Sequence, residues 1–219
     1  MKLDMIYMKF TIIGTTLMTI FNHHYRKLYL SIFIIILALY GCKDNPELTY
    51  PVSTEDIEGI IEDVELAWSV DTEKTYSDQL VIFELKNEEQ QLIAIINCVT
   101  KEDERGISIT FLPQMENQQV TRHIETEDIP KAFSLISRLA GIRDETMLYE
   151  IYSTEEPELV PVSKKPGMTP RYEQVAVWTG TTDNKYFHIS AGILENPTAY
   201  ELSSIACYTD ADMAPSLTK

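Results

Sequence analysis

Basic side chains are scarce in this chain, with 18 Lys and Arg against 34 Asp and Glu. Four of the basic residues (Lys2, Lys9, Arg26, Lys27) and one acid (Asp4) precede Cys42, so the remainder keeps 14 basic and 33 acidic groups, a formal balance of −19. Basic residues are what neutralise phosphate backbones and anionic headgroups, and such a surface repels both. No nucleic-acid partner is expected. Histidine is scarcer still: beyond Cys42 only His123 and His188 occur. No spacing gathers metal ligands, and the chain lacks GxSxG, HExxH, a CxxC pair, a glycine-rich phosphate loop and an EF-hand loop. No catalytic residue, cofactor or metal is therefore assigned. Glu102-Asp103-Glu104 and Asp210-Ala211-Asp212 read as solvated acids. Asp183, His188 and Ser190 have the residue types of a triad without an elbow or oxyanion feature beside them.

Cysteine is limited to three residues. Cys98 and Cys207 each sit in an apolar, strand-like run, LIAIINCV and LSSIACY. They are one candidate disulfide pair if the chain is exported, or two free thiols acting as small core hydrophobes.

The longest apolar run, residues 28–40, is also short. It falls below the ~20 residues a bilayer span needs and within the length of a signal h-region. Arg26 and Lys27 precede it, and it ends in Leu39-Tyr40-Gly41-Cys42. These four residues resemble the lipobox of bacterial lipoprotein precursors. The resemblance covers residues 23–42 and implies that Leu39 and Gly41 are read by a signal peptidase cutting before Cys42, whose thiol carries diacylglycerol. Tyr40 departs from the family's preference for a small or β-branched residue. A second semi-apolar stretch, residues 10–21, suggests that translation starts at Met18. An uncleaved membrane anchor is the rival. The partner implied is membrane lipid through Cys42, and the implied location is the extracytoplasmic face of a bacterial membrane. Two acyl chains hold a protein stably where one anchors marginally, at ~0.8 kcal/mol per buried CH₂.

The expected organisation is a signal peptide at 1–41, a lipid-anchored linker at 42–52, a first module at 53–125 and a second at 126–219. Ser53 caps a helix whose apolar stripe is Ile57, Ile60, Ile61, Val64 and Trp68. Strands follow at 80–85, 92–99 and 107–112 as an antiparallel meander. Thr126-Glu127-Asp128-Ile129 repeats Thr54-Glu55-Asp56-Ile57 and is expected to open a helix that ends at Gly141. A short helix at 144–152 comes next. The proline-rich stretch 153–171 cannot be regular helix or central strand, and strands are expected at 174–179, 186–194 and 200–208. The fold class is thus α+β, with helix-plus-three-strand modules and an internal duplication as one reading. Element order resembles the β-lactamase-inhibitory-protein-like layout and uncharacterised lipoproteins of Gram-positive bacteria.

Strand alternation places Phe187, Ile189, Ala191 and Ile193 inward and Tyr186, His188 and Ser190 outward, with Trp178 expected to join the outward set. Exposed Tyr and Trp are common binding anchors, so Trp178, Tyr186 and His188 form the candidate binding face for a protein or glycan. The functional expectation is an anchored, non-enzymatic binding module. The alternatives are a cell-envelope hydrolase using carboxylates and a structural subunit of an envelope complex.

Overall fold

The computed structural model describes residues 52–113, 115–116, 119–120, 124–162, 174–193 and 200–210. Leu39, Gly41, Cys42 and the signal segment lie outside the described residues, as do His123 and 163–173 of the proline-rich stretch.

Helix α1 is Thr54–Asp63, and its start is closed reciprocally. Ser53 Oγ accepts from the Asp56 amide at 3.2 Å, while the Ser53 amide donates to Asp56 Oδ2 at 2.9 Å. This capping box satisfies donors that the first helical turn cannot pair internally. Ile57 and Ile61 are buried from one side of the helix. The helix stops before Trp68, contrary to the expected stripe. Glu65 adopts φ +58, its amide donates to Glu62 O, and the Leu66 amide reaches back to Ile61 O. That is a Schellman closure, and buried Leu66 supplies the apolar contact that accompanies it.

Four strands follow: β1 (Trp68–Ser77), β2 (Leu80–Asn87), β3 (Leu92–Lys101) and β4 (Glu104–Phe111). A two-residue pair, β5 (Met115–Glu116) with β6 (Gln119–Val120), stands apart. Helix α2 (Ile129–Leu139) has Pro130 in its first turn, where a missing N–H costs nothing, and buries Ala132, Phe133, Leu135, Ile136 and Leu139. It closes with Gly141 at φ +68 and the Ile142 amide on Ser137 O. Helix α3 (Met147–Thr154) leads to β7 (Glu158–Pro161), β8 (Gln174–Thr182), β9 (Lys185–Ile193) and β10 (Tyr200–Tyr208). Asp183 and Asn184, at φ +47 and +60, make the two-residue turn between β8 and β9.

Eight strands form one antiparallel sheet in the order β1-β2-β3-β4-β10-β9-β8-β7. The α+β class is therefore correct, but two separate three-stranded sheets are not. The first meander gains β1 and the second gains β7, and β4 pairs with β10 to fuse them. The four-letter repeat also plays two roles. Thr54 is the first residue of α1, whereas Thr126–Asp128 form a turn and Ile129 begins α2.

One face of the sheet carries the core. Phe83, Ile96, Ile109, Ile205, Ile189 and Trp178 stand side by side on six successive strands. They pack beneath helix residues that include Phe133, Leu135 and Ile136. Each such side chain contributes about 1.5–3 kcal/mol by leaving water. Arg138 ties the helical layer together, with Nη1 on Asp63 at 3.0 Å and Nε on Glu145 at 2.8 Å.

Cys98 and Cys207 are both free and buried. Each pairs with Ile107, one from either side of β4. Two strand spacings of about 4.8 Å separate them, beyond the ~7 Å that a disulfide can bridge. The candidate pair is thus excluded by register, and burial pushes both thiols up to about 12.

Candidate functional site

Among the described residues no helix packs on the second face of the sheet, and strand register arranges its side chains in rows. The middle row reads Ile82, Asn97, Ser108, Ala206, His188, Thr179 across β2, β3, β4, β10, β9 and β8. To one side runs Leu80, Val99, Gly106, Tyr208, Tyr186, Thr181, and to the other Glu84, Ile95, Thr110, Ser204, Ser190, Val177. Residues directly opposite on neighbouring strands have Cβ atoms about 5 Å apart, so Tyr186 and Tyr208 form an adjacent pair. Tyr186 is 39% exposed, while Tyr208 is half-buried and its phenol is raised by burial. Polar contacts lie beside them: Asn97 Nδ2 donates to Ser108 Oγ at 3.4 Å, and the Ser190 and Ser204 hydroxyls bond at 2.8 Å.

The predicted binding trio does not share this face. Trp178 pairs with Ile189, not with His188, and so points at the helices. It is 3% exposed, lies 4.9 Å from the Tyr152 ring and 5.4 Å from the Tyr200 ring, and donates from Nε1 to Glu155 O at 2.9 Å. Those contacts decide its side. A large apolar ring with one donor gains more from a closed aromatic layer and a helix-end carbonyl than from water. Val177, the residue before Trp178, lies on the other face, opposite Ser190. Tyr186 and His188 do share that face, but His188 is 8% exposed, and burial lowers its pKa, holding it neutral. Among the described residues its Nε2 has no hydrogen-bond partner. Tyr208, which the sequence reading left inside a strand, takes the place expected for Trp178. The signal available was its position in LSSIACY, one residue beyond the inward alternation of Ile205 and Cys207.

The triad types do not converge. Asp183 Oδ2 accepts from the Arg143 amide at 2.8 Å, and Ser190 is engaged with Ser204. Glu104 and Asp210, one from each acidic run, do come together at one end of the sheet, where burial and then the Asp210 carboxylate raise the pKa of Glu104. Among the described residues no group of three or more His, Cys, Asp or Glu is placed to hold a metal ion.

A separate concavity of about 550 Å³ opens between α3, the start of α2 and the start of β10. Tyr149, Tyr152 and Tyr200 line it, with Glu155, Glu156 and Glu201. Tyr152 is pushed up to about 12, by burial first and by the neighbouring Tyr149 and Tyr200 next, which places the three phenols close together.

Comparison with protein-family models, curated proteins and solved structures finds no match for this chain.

Proposed function

We propose that this chain is an extracytoplasmic lipoprotein, held to a bacterial membrane through Cys42 and acting as a non-enzymatic binding module. The observation that carries the anchoring is the run from residue 28 that ends in Leu39-Tyr40-Gly41-Cys42. A domain with a formal balance of −19 has no basic patch to hold an anionic membrane, so a covalent anchor suits it. Among the described residues no helix is long and apolar enough to cross a membrane. The binding role draws on the helix-free face, where the Tyr186–Tyr208 pair adjoins Asn97, Ser108 and Ser190 beside Ile82, Ile95 and Val99. Aromatic anchors beside small hydrogen-bonding groups suit a protein or glycan partner.

Metabolic labelling with a palmitate analogue tests the anchor. Label on the wild type that disappears in Cys42→Ala is the expected outcome; an unlabelled wild type, or label that survives the substitution, overturns it. The internal duplication belongs to the same proposal. Its support is the palindromic strand order together with the Schellman closures that end α1 and α2. Co-expressed fragments 45–125 and 126–219 should reassemble across the β4–β10 seam if the halves descend from one unit.

A further inference from the structure

His188 is the one buried histidine among the described residues, and its surroundings on the second face of the sheet are uncharged. It is 8% exposed, and its Nε2 is buried without a hydrogen-bond partner there. Register names the neighbours. Ala206 of β10 and Thr179 of β8 stand directly opposite, and Tyr186 and Ser190 flank it along β9. Tyr208 and Ser204 are the diagonal neighbours on β10. The titratable groups in this set are the two phenols, and a phenol carries no charge in acid. The Ser190 and Ser204 hydroxyls bond to each other at 2.8 Å. Register places Glu158 opposite Val177 and Glu201 opposite Gly192, and Asp210 lies beyond the end of β10. Strand spacings put the backbone of each about 12 Å or more from that of His188. Asp183 and Lys185 turn to the helical layer, where they bond the Arg143 amide and Gly141 O. None of these groups bonds Nε2, and burial favours the neutral imidazole.

We propose that His188 is an acid switch for this face: its protonation opens the β9–β10 packing around it and displaces the Tyr186–Tyr208 pair. A neutral imidazole tolerates a dry site, whereas an imidazolium needs water or a carboxylate. No described carboxylate bonds it, so the charge is accommodated by admitting water. Tyr186 lies two residues before His188 on the same side of β9, and Tyr208 stands opposite Tyr186. Movement that wets His188 therefore moves both rings. The sign follows from the proton count. An unfolded or opened histidine titrates near 6.5, and the closed one only at lower pH, so the closed face is fully favoured above 6.5. Below it the open state takes up a proton that the closed state resists, and opening gains at most roughly thirtyfold at pH 5. That this step governs binding rests on the reading of the face as a contact surface. The step itself is measured on the chain alone, so either can fail without the other.

The test uses the full chain in a non-ionic detergent, with His188→Leu and His188→Gln as variants that cannot charge. Isotope-labelled wild type gives the imidazole titrations of the four histidines, with His188 assigned through its own backbone. Its midpoint should lie below about 6. Amide exchange, read by mass spectrometry and corrected for the intrinsic rate, then compares peptides of β9 and β10 with peptides of β2 and β3. From pH 7.5 to pH 5 the wild type should gain about tenfold more opening at β9 and β10 than at β2 and β3. Both variants should lose that excess. A His188 midpoint at or above about 6.5, an excess under about twofold, or an excess that persists in both variants would overturn the switch.

Discussion

The two halves of the sheet solve one problem with different means. In the first, α1 passes through a four-residue connection into β1, and the meander closes on itself with a long outer strand. Seven of the ten residues of β1, including the last five, are exposed except for alternate positions near its start, so backbone pairing and ion pairs to β2 hold it: Lys74 with Glu84, and Lys86 with Asp71 at 2.7 Å. In the second half an extra helix and a short outer strand intervene, and aromatic contacts do the work. Phe133 meets Tyr149 at 5.8 Å and Tyr152 at 5.2 Å, and Tyr152 meets Trp178, which meets Tyr200. Mainly aliphatic packing with a charged rim and one ring contact, Trp68 against Phe111 at 6.3 Å, on one side, and an aromatic ladder on the other, share one continuous core. The contrast teaches that a fused sheet tolerates unequal halves, because the β4–β10 seam lets each lean on the other.

The largest expected effects come from truncating the ring at the centre of each half. Phe83→Ala and Phe133→Ala, both fully buried, should each cost about 3–5 kcal/mol. One core predicts one transition. Trp68 reports the first half and Trp178 the second, so single-tryptophan variants can follow urea unfolding separately in each half. Coincident midpoints are expected in both truncated proteins. Separate midpoints would divide the molecule into two units and break the comparison as drawn.

Next comes the response to alkali, in which the halves should behave alike. Cys98 lies on a strand of the first half and Cys207 on one of the second, and burial pushes both thiols up to about 12. An unfolded thiol ionises near 8.5, so above that pH the unfolded state binds fewer protons than the folded one. Stability therefore falls as pH rises from about 8.5 towards 12, by roughly 2 kcal/mol per thiol at pH 10. The slope lost in Cys98→Ala and in Cys207→Ala, measured by urea unfolding at pH 8 and 10, should be equal. Unequal slopes would show that one half opens in alkali before the other.

Legibility in the sequence divides along the same line. The helices were readable because their apolar residues recur at helical spacing and their ends carry punctuation, Ser53 at one start and Gly141 at one stop. The central strands were readable because LIAIINCV and KYFHISAGI are dense in apolar residues. Both outer strands were not. WSVDTEKTYS has almost no apolar alternation because little of it is buried, and ELVP sits among prolines that argue against a central strand while allowing an edge. The face of Trp178 was misread for a related reason. In QVAVWTGTT two valines outvote alanine and tryptophan in a simple parity count, yet the partner Ile189 and the carbonyl of Glu155 decide the register. Pairing between distant segments, including the one strand that separates the two cysteines, leaves no mark on either segment alone.

A smaller effect probes how tightly the second half is packed. Gly180 faces Phe187 across β8 and β9, and a Cβ there would lie 2.7 Å from the ring carbon Cζ. Gly180→Ala must displace that ring from its place beside Cys207 and should cost about 1–3 kcal/mol in urea unfolding. Phe187→Leu in the same background should recover part of the loss by making room. A neutral Gly180→Ala would mean that the second half yields more easily than its ring contacts imply.

The smallest effect, and the one of opposite sign, concerns the two helix ends. Helix α1 places Glu65 at φ +58 in the position where α2 has Gly141 at φ +68. A side chain in this left-handed region is strained by its own Cβ, and glycine is not. Nothing else distinguishes the two closures: each has the amide pair running back to the helix and a buried apolar residue next in sequence, Leu66 or Ile142. Lys131 Nζ donates to the backbone oxygen of Glu65 at 3.0 Å, a bond that substitution of the side chain leaves intact. Glu65→Gly should therefore stabilise the fold by about 0.5–1 kcal/mol, net of the entropy that glycine adds to the unfolded chain. Gly141→Ala should destabilise it by about 1 kcal/mol, since a Cβ there meets only the Lys185 side chain at 3.9 Å and strain is the whole penalty. Opposite signs at matched positions would make the two helix ends equivalent in mechanism and different only in residue. A loss of stability in Glu65→Gly would instead assign the glutamate side chain a role in holding α1 that its exposed position does not suggest.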